Sequence, residues 1–325
     1  MKLNGVRDAS HAHSWYDGDS VSLSRQLDSF LDAVPTSINN SSLPISGAKL
    51  VIAPHAGYSY SGPCAAWAYK CLDLQNAKRI FLLGPSHTYY LRGCALTTFA
   101  RYDTPFGALV VDDAVIQQLR DTGKFQDIPS RSDVDEHSLE MHLPYIYKRI
   151  EQTLPSGDHP TLVPILIGDN NAAQEKEFGQ LLAPYLRDPD NVFVVSSDFC
   201  HWGSRFSYTF YAPDGDVQQI APLSRKSATP SNPPIHESIK IVDQQAMDAI
   251  TSGDHDAFVQ NLKHTKNTVC GRHPIGVAMA ALEVLAQGSA ESNRYRFQFV
   301  QYQRSSLVED YADSSVSYAS AYAIV

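Results

Sequence analysis

Positive charge is what this sequence has least of. Its 325 residues carry 26 lysines and arginines against 35 aspartates and glutamates, a net charge of −9. An acidic surface repels phosphate backbones and anionic headgroups, which excludes broad nucleic-acid binding and docking on anionic lipid. Long apolar runs are also missing. None approaches the ~18 residues of a membrane span, so no membrane insertion is expected. The opening residues 1–8 carry no apolar stretch of the secretory kind. Cysteine is sparse and odd in number: Cys64, Cys71, Cys94, Cys200 and Cys270. Five scattered thiols suit a reducing compartment better than a disulfide framework. These absences predict a cytoplasmic protein, with the nucleus also open to it. No internal repeat is visible, which excludes a solenoid or propeller.

What is present is a core-forming composition, 43% hydrophobic and 19% charged. Apolar strand-like runs at 49–53, 79–83, 162–167 and 192–195 alternate with amphipathic helical patterns at 20–31, 114–120, 175–186 and 237–251. That rhythm predicts an α/β protein with a mostly parallel or mixed central sheet flanked by helices. A helix is expected at 64–72, opened by Pro63 in its first turn, and another at 139–150. Strands are expected at 94–99 and 109–111, and two more near the end at 295–303 and 315–323. The stretch 212–235, with five prolines among Ser and Asn, predicts a long mobile surface loop.

Four turns carry chemistry. The run to Ala53 ends in Pro54-His55-Ala56-Gly57-Tyr58, and the run to Leu83 ends in Gly84-Pro85-Ser86-His87. The run to Val195 ends in Ser196-Ser197-Asp198-Phe199-Cys200-His201, and Cys270-Gly271-Arg272-His273-Pro274 precedes a helical pattern. Loops after parallel strands converge on one crevice. His55 and His87 are therefore candidate metal ligands, or simply hydrogen-bonded loop residues. Cys270 is a thiolate candidate, because a helix N-terminus lowers a thiol pKa, or else a buried inert thiol. Asp198 and His201 can form an orienting pair or an acid/base couple, or Asp198 can merely cap a helix. Glu136 and His137 form a further cluster, a candidate pocket or partner-binding pair, with helix capping as the alternative for Glu136. Trp15, Tyr58 and Tyr60 are candidate pocket walls, with core packing as the alternative.

Taken in order, these motifs resemble the Memo (mediator of cell motility) family. They include Ser14-Trp15-Tyr16, Ala53-Pro54-His55-Ala56-Gly57-Tyr58, Gly84-Pro85-Ser86-His87, Glu136-His137-Ser138 and Ser197-Asp198-Phe199-Cys200-His201-Trp202. Cys270-Gly271-Arg272-His273-Pro274 and Asp313-Ser314-Ser315-Val316-Ser317-Tyr318 complete the set. The resemblance implies one domain over residues 1–325, similar in fold to class III extradiol dioxygenases. It implies His55 and His87 as metal ligands, Cys270 at the third, carboxylate position, and His201 beside Asp198 for acid/base work. A thiolate there favours copper, while permitting iron or zinc, and argues against ordinary ring cleavage. The resemblance also implies redox control, cell motility and invasive growth. As the alternative, it implies an adaptor whose cleft, with Trp15 and Tyr60, binds phosphotyrosine-type peptides or signalling partners.

Overall fold

The computed structural model describes residues 2–154, 159–226, 228–287 and 294–325. Among these residues, nine strands build one sheet: β1 (Ala48–Ala53), β2 (Arg79–Pro85), β3 (Cys94–Leu96), β4 (Phe125–Asp127), β5 (Thr161–Ile167), β6 (Asn191–Ser196), β7 (His201–Trp202), β8 (Phe297–Arg304) and β9 (Ser315–Ile324). Their spatial order is β7-β9-β1-β6-β2-β5-β3-β4, with β8 paired to β9. The central strands β1, β6, β2 and β5 are parallel. The flanks bring in antiparallel pairs, β9 on β1, β8 on β9 and β3 on β5. The sheet is therefore mixed, with a parallel centre. Its central strands are almost wholly buried apolar runs because both faces are covered.

The helices are α1 (Ser20–Asp32), α2 (Tyr58–Cys71), α3 (Asp113–Asp121), α4 (Ser130–Asp135), α5 (His137–Glu140), α6 (Leu143–Thr153), α7 (Ala172–Arg187), α8 (Ile235–Ser252), α9 (His255–Thr265) and α10 (Arg272–Ala286). Strand β1 leads through α2 to β2, while β5 leads back through α7 to β6. The two connections cross the sheet in opposite directions, so right-handed crossovers put α2 and α7 on opposite faces. Helix α2 accordingly packs with α1 and α6, and α7 packs with α10. The result is a single α/β domain. Strand β6 sits between β1 and β2, so the turns after these three strands meet at one carboxyl edge.

Several elements differ from the sequence expectation. Helix α2 starts at Tyr58, so Pro63 lies inside it rather than in its first turn. The expected 139–150 helix divides into α5 and α6 at Met141–His142, where Pro144 favours a fresh helix start. The expected 94–99 strand divides as well. Cys94–Leu96 stays in the main sheet, while Phe99–Tyr102 joins a separate three-stranded sheet with Asn4–Arg7 and Leu109–Val110. The expected loop at 212–235 holds two short 3-10 turns, Pro213–Gly215 and Val217–Gln219, and a strand, Ala221–Pro222, paired with Phe210–Tyr211. Tyr211 Oη donates to the carbonyls of Asn232 and Pro233 at 2.6 and 2.8 Å, and the Ala212 amide donates to Ser238 Oγ at 2.8 Å. A small second core of Cys200, Trp202, Tyr208, Ile235, Ile239 and Val308 lies beneath this stretch. Among the described residues, no helix is long and apolar enough to cross a membrane.

Candidate metal centre

His55 follows β1 after Pro54 and is buried. Its amide donates to Asp198 Oδ1 at 2.8 Å, and its Nδ1 lies 2.6 Å from Ser196 Oγ. Ser196 Oγ gives its single proton to the Ser138 carbonyl at 2.7 Å. Toward His55 it can only accept, so Nδ1 carries the proton and Nε2 keeps its lone pair. Burial, and after it the neighbouring His87, His137, His142 and His201, push His55 well below the ordinary imidazole range. A neutral imidazole with a bare Nε2 is the ligating form.

His87 follows β2 and is oriented by a carboxylate. Glu136 accepts from the His87 amide at 2.6 Å and from its Nδ1 at 2.9 Å. The same carboxylate caps α5 by accepting from the Ser138 amide at 2.9 Å. Burial alone would raise Glu136. The hydrogen bond from His87 and the nearby imidazoles outweigh it and hold the carboxyl at about 2. Glu136 therefore caps its helix and also fixes the tautomer of His87, leaving that Nε2 free as well.

His137, the first residue of α5, stacks on His87 with ring centroids 4.4 Å apart and planes at 15°. Its other side meets Trp15 at 4.5 Å. Burial first, and His87 second, push it down to about 4. One ring nitrogen from each of His55, His87 and His137 lies within 4.8 Å of the other two, close enough to hold one ion. His137, a pocket or partner-binding candidate in the sequence rather than a metal ligand, enters this donor set.

Cys270 meets this cluster at His55 alone and falls outside the donor group of His55, His87 and His137. Its Sγ lies 3.2 Å from His55 Nε2 and 3.2 Å from the Asp198 amide that points at it. Gly271 makes this approach possible. A Cβ there would lie 2.3 Å from the Ser196 carbonyl oxygen and from Ser197 Cβ. The thiol departs from expectation in one respect: burial, and then the Asp198 carboxylate, push it well up rather than down. Helix α10 begins at Arg272, so the thiol lies outside its first turn and beside a negative charge.

Asp198 and His201 reach the site without bonding each other. Asp198 holds the His55 amide, and burial raises its carboxyl against the pull of His201 and the backbone amides. His201 Nδ1 faces the carbonyls of Phe199 and Thr268 at 2.9 and 3.2 Å, which leaves its Nε2 free. Trp15 and Tyr60, 36% and 59% exposed, line a cavity of about 690 Å³ with Ala56, Gly57 and Arg205. Tyr58 does not join that wall. It is 2% exposed and donates to the Met141 carbonyl from within the core. Positions 58 and 60 of a helix point to nearly opposite sides, so only one of them can face the cavity. Sequence reasoning missed Ser196 as a site residue; its serine sits at a strand end with no spacing signal.

A family model described as Memo-like protein matches residues 7–322. Protein MEMO1 of Xenopus laevis is 42% identical over 319 residues, covering 98% of this chain and 97% of that protein. Protein MEMO1 of Homo sapiens is 41% identical over 313 residues, covering 96% of this chain and 95% of its own length. The protein memo-1 homolog of Caenorhabditis elegans is 40% identical over 324 residues, covering 98% and 84% respectively.

Proposed function

We propose, from the premise that the chain belongs to the Memo family, that it binds one copper or iron ion at His55, His87 and Cys270 and serves a redox role. The observation that supports this most is the tautomer of the two imidazoles. Ser196 and Glu136 take the Nδ1 side of His55 and His87, which leaves both rings a bare Nε2, and the Cys270 thiol lies 3.2 Å from that of His55. Metal-binding histidines are oriented by second partners of this kind. His137 competes with Cys270 for the third position, and a third imidazole suits either metal as well as zinc. A bound copper or iron ion would supply one-electron chemistry. The chain's own groups would orient the ligands, hold His55 through Asp198, and exchange a proton at His201 Nε2. A thiolate donor in place of a carboxylate argues against ring-cleaving dioxygenase activity.

The test is metal content and affinity of the protein purified without added metal, then challenged with copper and with iron. Binding near one ion per chain that falls in His55→Ala and His87→Ala supports the reading. A protein that stays metal-free under both challenges overturns it.

A second reading rests on the Trp15–Tyr60 cavity. Two exposed aromatic bodies, serine hydroxyls and Arg205 line it, and Arg205 has no ion-pair partner among the described residues, its guanidinium lying 4.5 Å from the Phe206 ring centroid. That lining suits a phosphotyrosine-type peptide of a signalling partner, in line with a role in cell motility and invasive growth from the cytoplasm or nucleus. Peptide binding that is lost in Arg205→Gln while metal content is unchanged would support it. Binding indifferent to Arg205 and Trp15 would remove it.

A further inference from the structure

A second cavity, of about 540 Å³, opens where α7, α9 and the start of α10 meet. It shares no lining residue with the imidazole cluster or the Trp15 cavity. Its floor is apolar: Phe258, Val259 and Leu262 present one face of α9. Its rim is cationic. Lys263, Lys266 and Arg272 are exposed around it, and none has a side-chain partner among the described residues.

The one carboxylate in the lining is already engaged. Glu175 faces His255 Nε2 at 2.7 Å and His273 Nδ1 at 2.6 Å. His273 Nε2 is buried without a hydrogen-bond partner, with Asp169 Oδ1 approaching to 3.3 Å outside hydrogen-bond geometry. The first residues of α7 and of α10 also open on the cavity with positive helix ends, and the last turn of α9 at Leu262–Thr265 opens on it with a negative one. The size is that of a small-molecule site.

We propose that this cavity binds an amphiphilic dianion, a phosphate monoester whose apolar body lies along α9. Three unpaired cations call for more than one negative charge, which a fatty carboxylate does not carry. The apolar floor calls for a body, which free inorganic phosphate lacks. Arg272 offers the planar fork that grips phosphate oxygens in pairs, and the lysines add point charge.

The experiment is isothermal titration calorimetry of the full chain with hexyl phosphate, inorganic phosphate and 1-hexanol. Hexyl phosphate is expected to bind at least about tenfold more tightly than either of the others. Arg272→Gln, and Lys263→Gln with Lys266→Gln, are each expected to weaken it about tenfold or more. Leu262→Trp, which fills the floor, is expected to abolish it. Thermal melts of these rim variants confirm that each is folded. Arg205→Gln and His137→Gln, which alter the other two candidate sites, are expected to leave the affinity unchanged. Equal affinity for hexyl phosphate and inorganic phosphate would overturn the proposal. So would binding insensitive to Arg272→Gln, or binding lost in Arg205→Gln or His137→Gln.

Discussion

Ser196 holds a single hydroxyl proton, and its direction toward the Ser138 carbonyl decides which nitrogen of His55 is bare. Ser196→Ala removes the acceptor from Nδ1 and lets the ring turn or change tautomer. Metal affinity is expected to fall roughly ten- to a hundredfold, as for other partners that orient a ligand. Competition against a chromogenic chelator measures this, and unchanged affinity would show that the ring is held by packing alone. Cys270 and His137 are separated by a parallel comparison. Cys270→Ser replaces a soft donor with a hard neutral one, so copper affinity should drop while iron is less affected. Cys270→Glu would create a two-histidine, one-carboxylate set and shift preference toward iron. If His137→Gln instead produces the larger copper loss, the third donor is the imidazole. The turns bearing His55, His87, Asp198 and Cys270 were legible because each follows a strand or precedes a helix. The role of Glu136 in fixing His87, and the stacking that draws in His137, were not, because both depend on two turns far apart in the chain meeting in space. Tyr58 was misplaced because the start of α2 was set too late.

At the level of elements, the contact of α7 with α10 reverses an ordinary rule. Replacing a mid-helix glycine by alanine usually stabilises by about 1 kcal/mol. At Gly179 the new Cβ would lie 2.5 Å from Ala280 Cβ and 2.8 Å from the Ala281 amide nitrogen, so the helices must part. Gly179→Ala is therefore expected to destabilise by roughly 1–3 kcal/mol. Urea unfolding reads the sign directly, and a more stable variant would refute the argument. The 212–235 stretch gives a second case. Its proline-rich sequence offers no periodicity, so its attachment through Tyr211 could not be read in advance. Tyr211→Phe removes the donor to two carbonyls and is expected to cost about 0.5–1.5 kcal/mol. An unchanged urea midpoint would mean that this tie contributes nothing to stability. The main strands and the long helices were legible because their periods are local and strong. The Asn4–Arg7 strand was not, because its pairing with Phe99–Tyr102 joins residues from opposite ends of the first third of the chain.

Over the whole molecule, one buried ion cluster ties the Asn4–Arg7 strand to the turn that carries Glu136 and His137. Arg7 directs its guanidinium to Asp133, to Glu140 at 2.7 Å, and to the carbonyls of Asp8, Val134 and Glu136, so all its donors are engaged. Glu140 also accepts from Tyr16 Oη at 2.8 Å and lies 2.8 Å from His11 Nδ1. Burial would raise the Glu140 carboxyl, but the hydrogen bond with His11 and the charge of Arg7 prevail and lower it from 4.5 to about 2. A carboxyl lowered in the folded state contributes stability that is complete above its unfolded pKa. That contribution is lost as pH falls toward the folded value. The window is therefore about pH 4.5 down to about pH 2, and the contribution is on the order of 3 kcal/mol at most. Asp133 acts in the opposite sense, since burial raises it despite Arg7, so it does not add to this acid loss. Glu140→Gln leaves Arg7 buried without one of its charge partners and is expected to cost about 3–5 kcal/mol at pH 7. Below pH 4.5 the wild type loses its advantage and the two stabilities should converge. Urea unfolding of both proteins at pH 7, 5, 4 and 3 tests this. A stability gap that stays constant from pH 7 to 3 would show that the ionised Glu140 is not what holds the Asn4–Arg7 strand against the site.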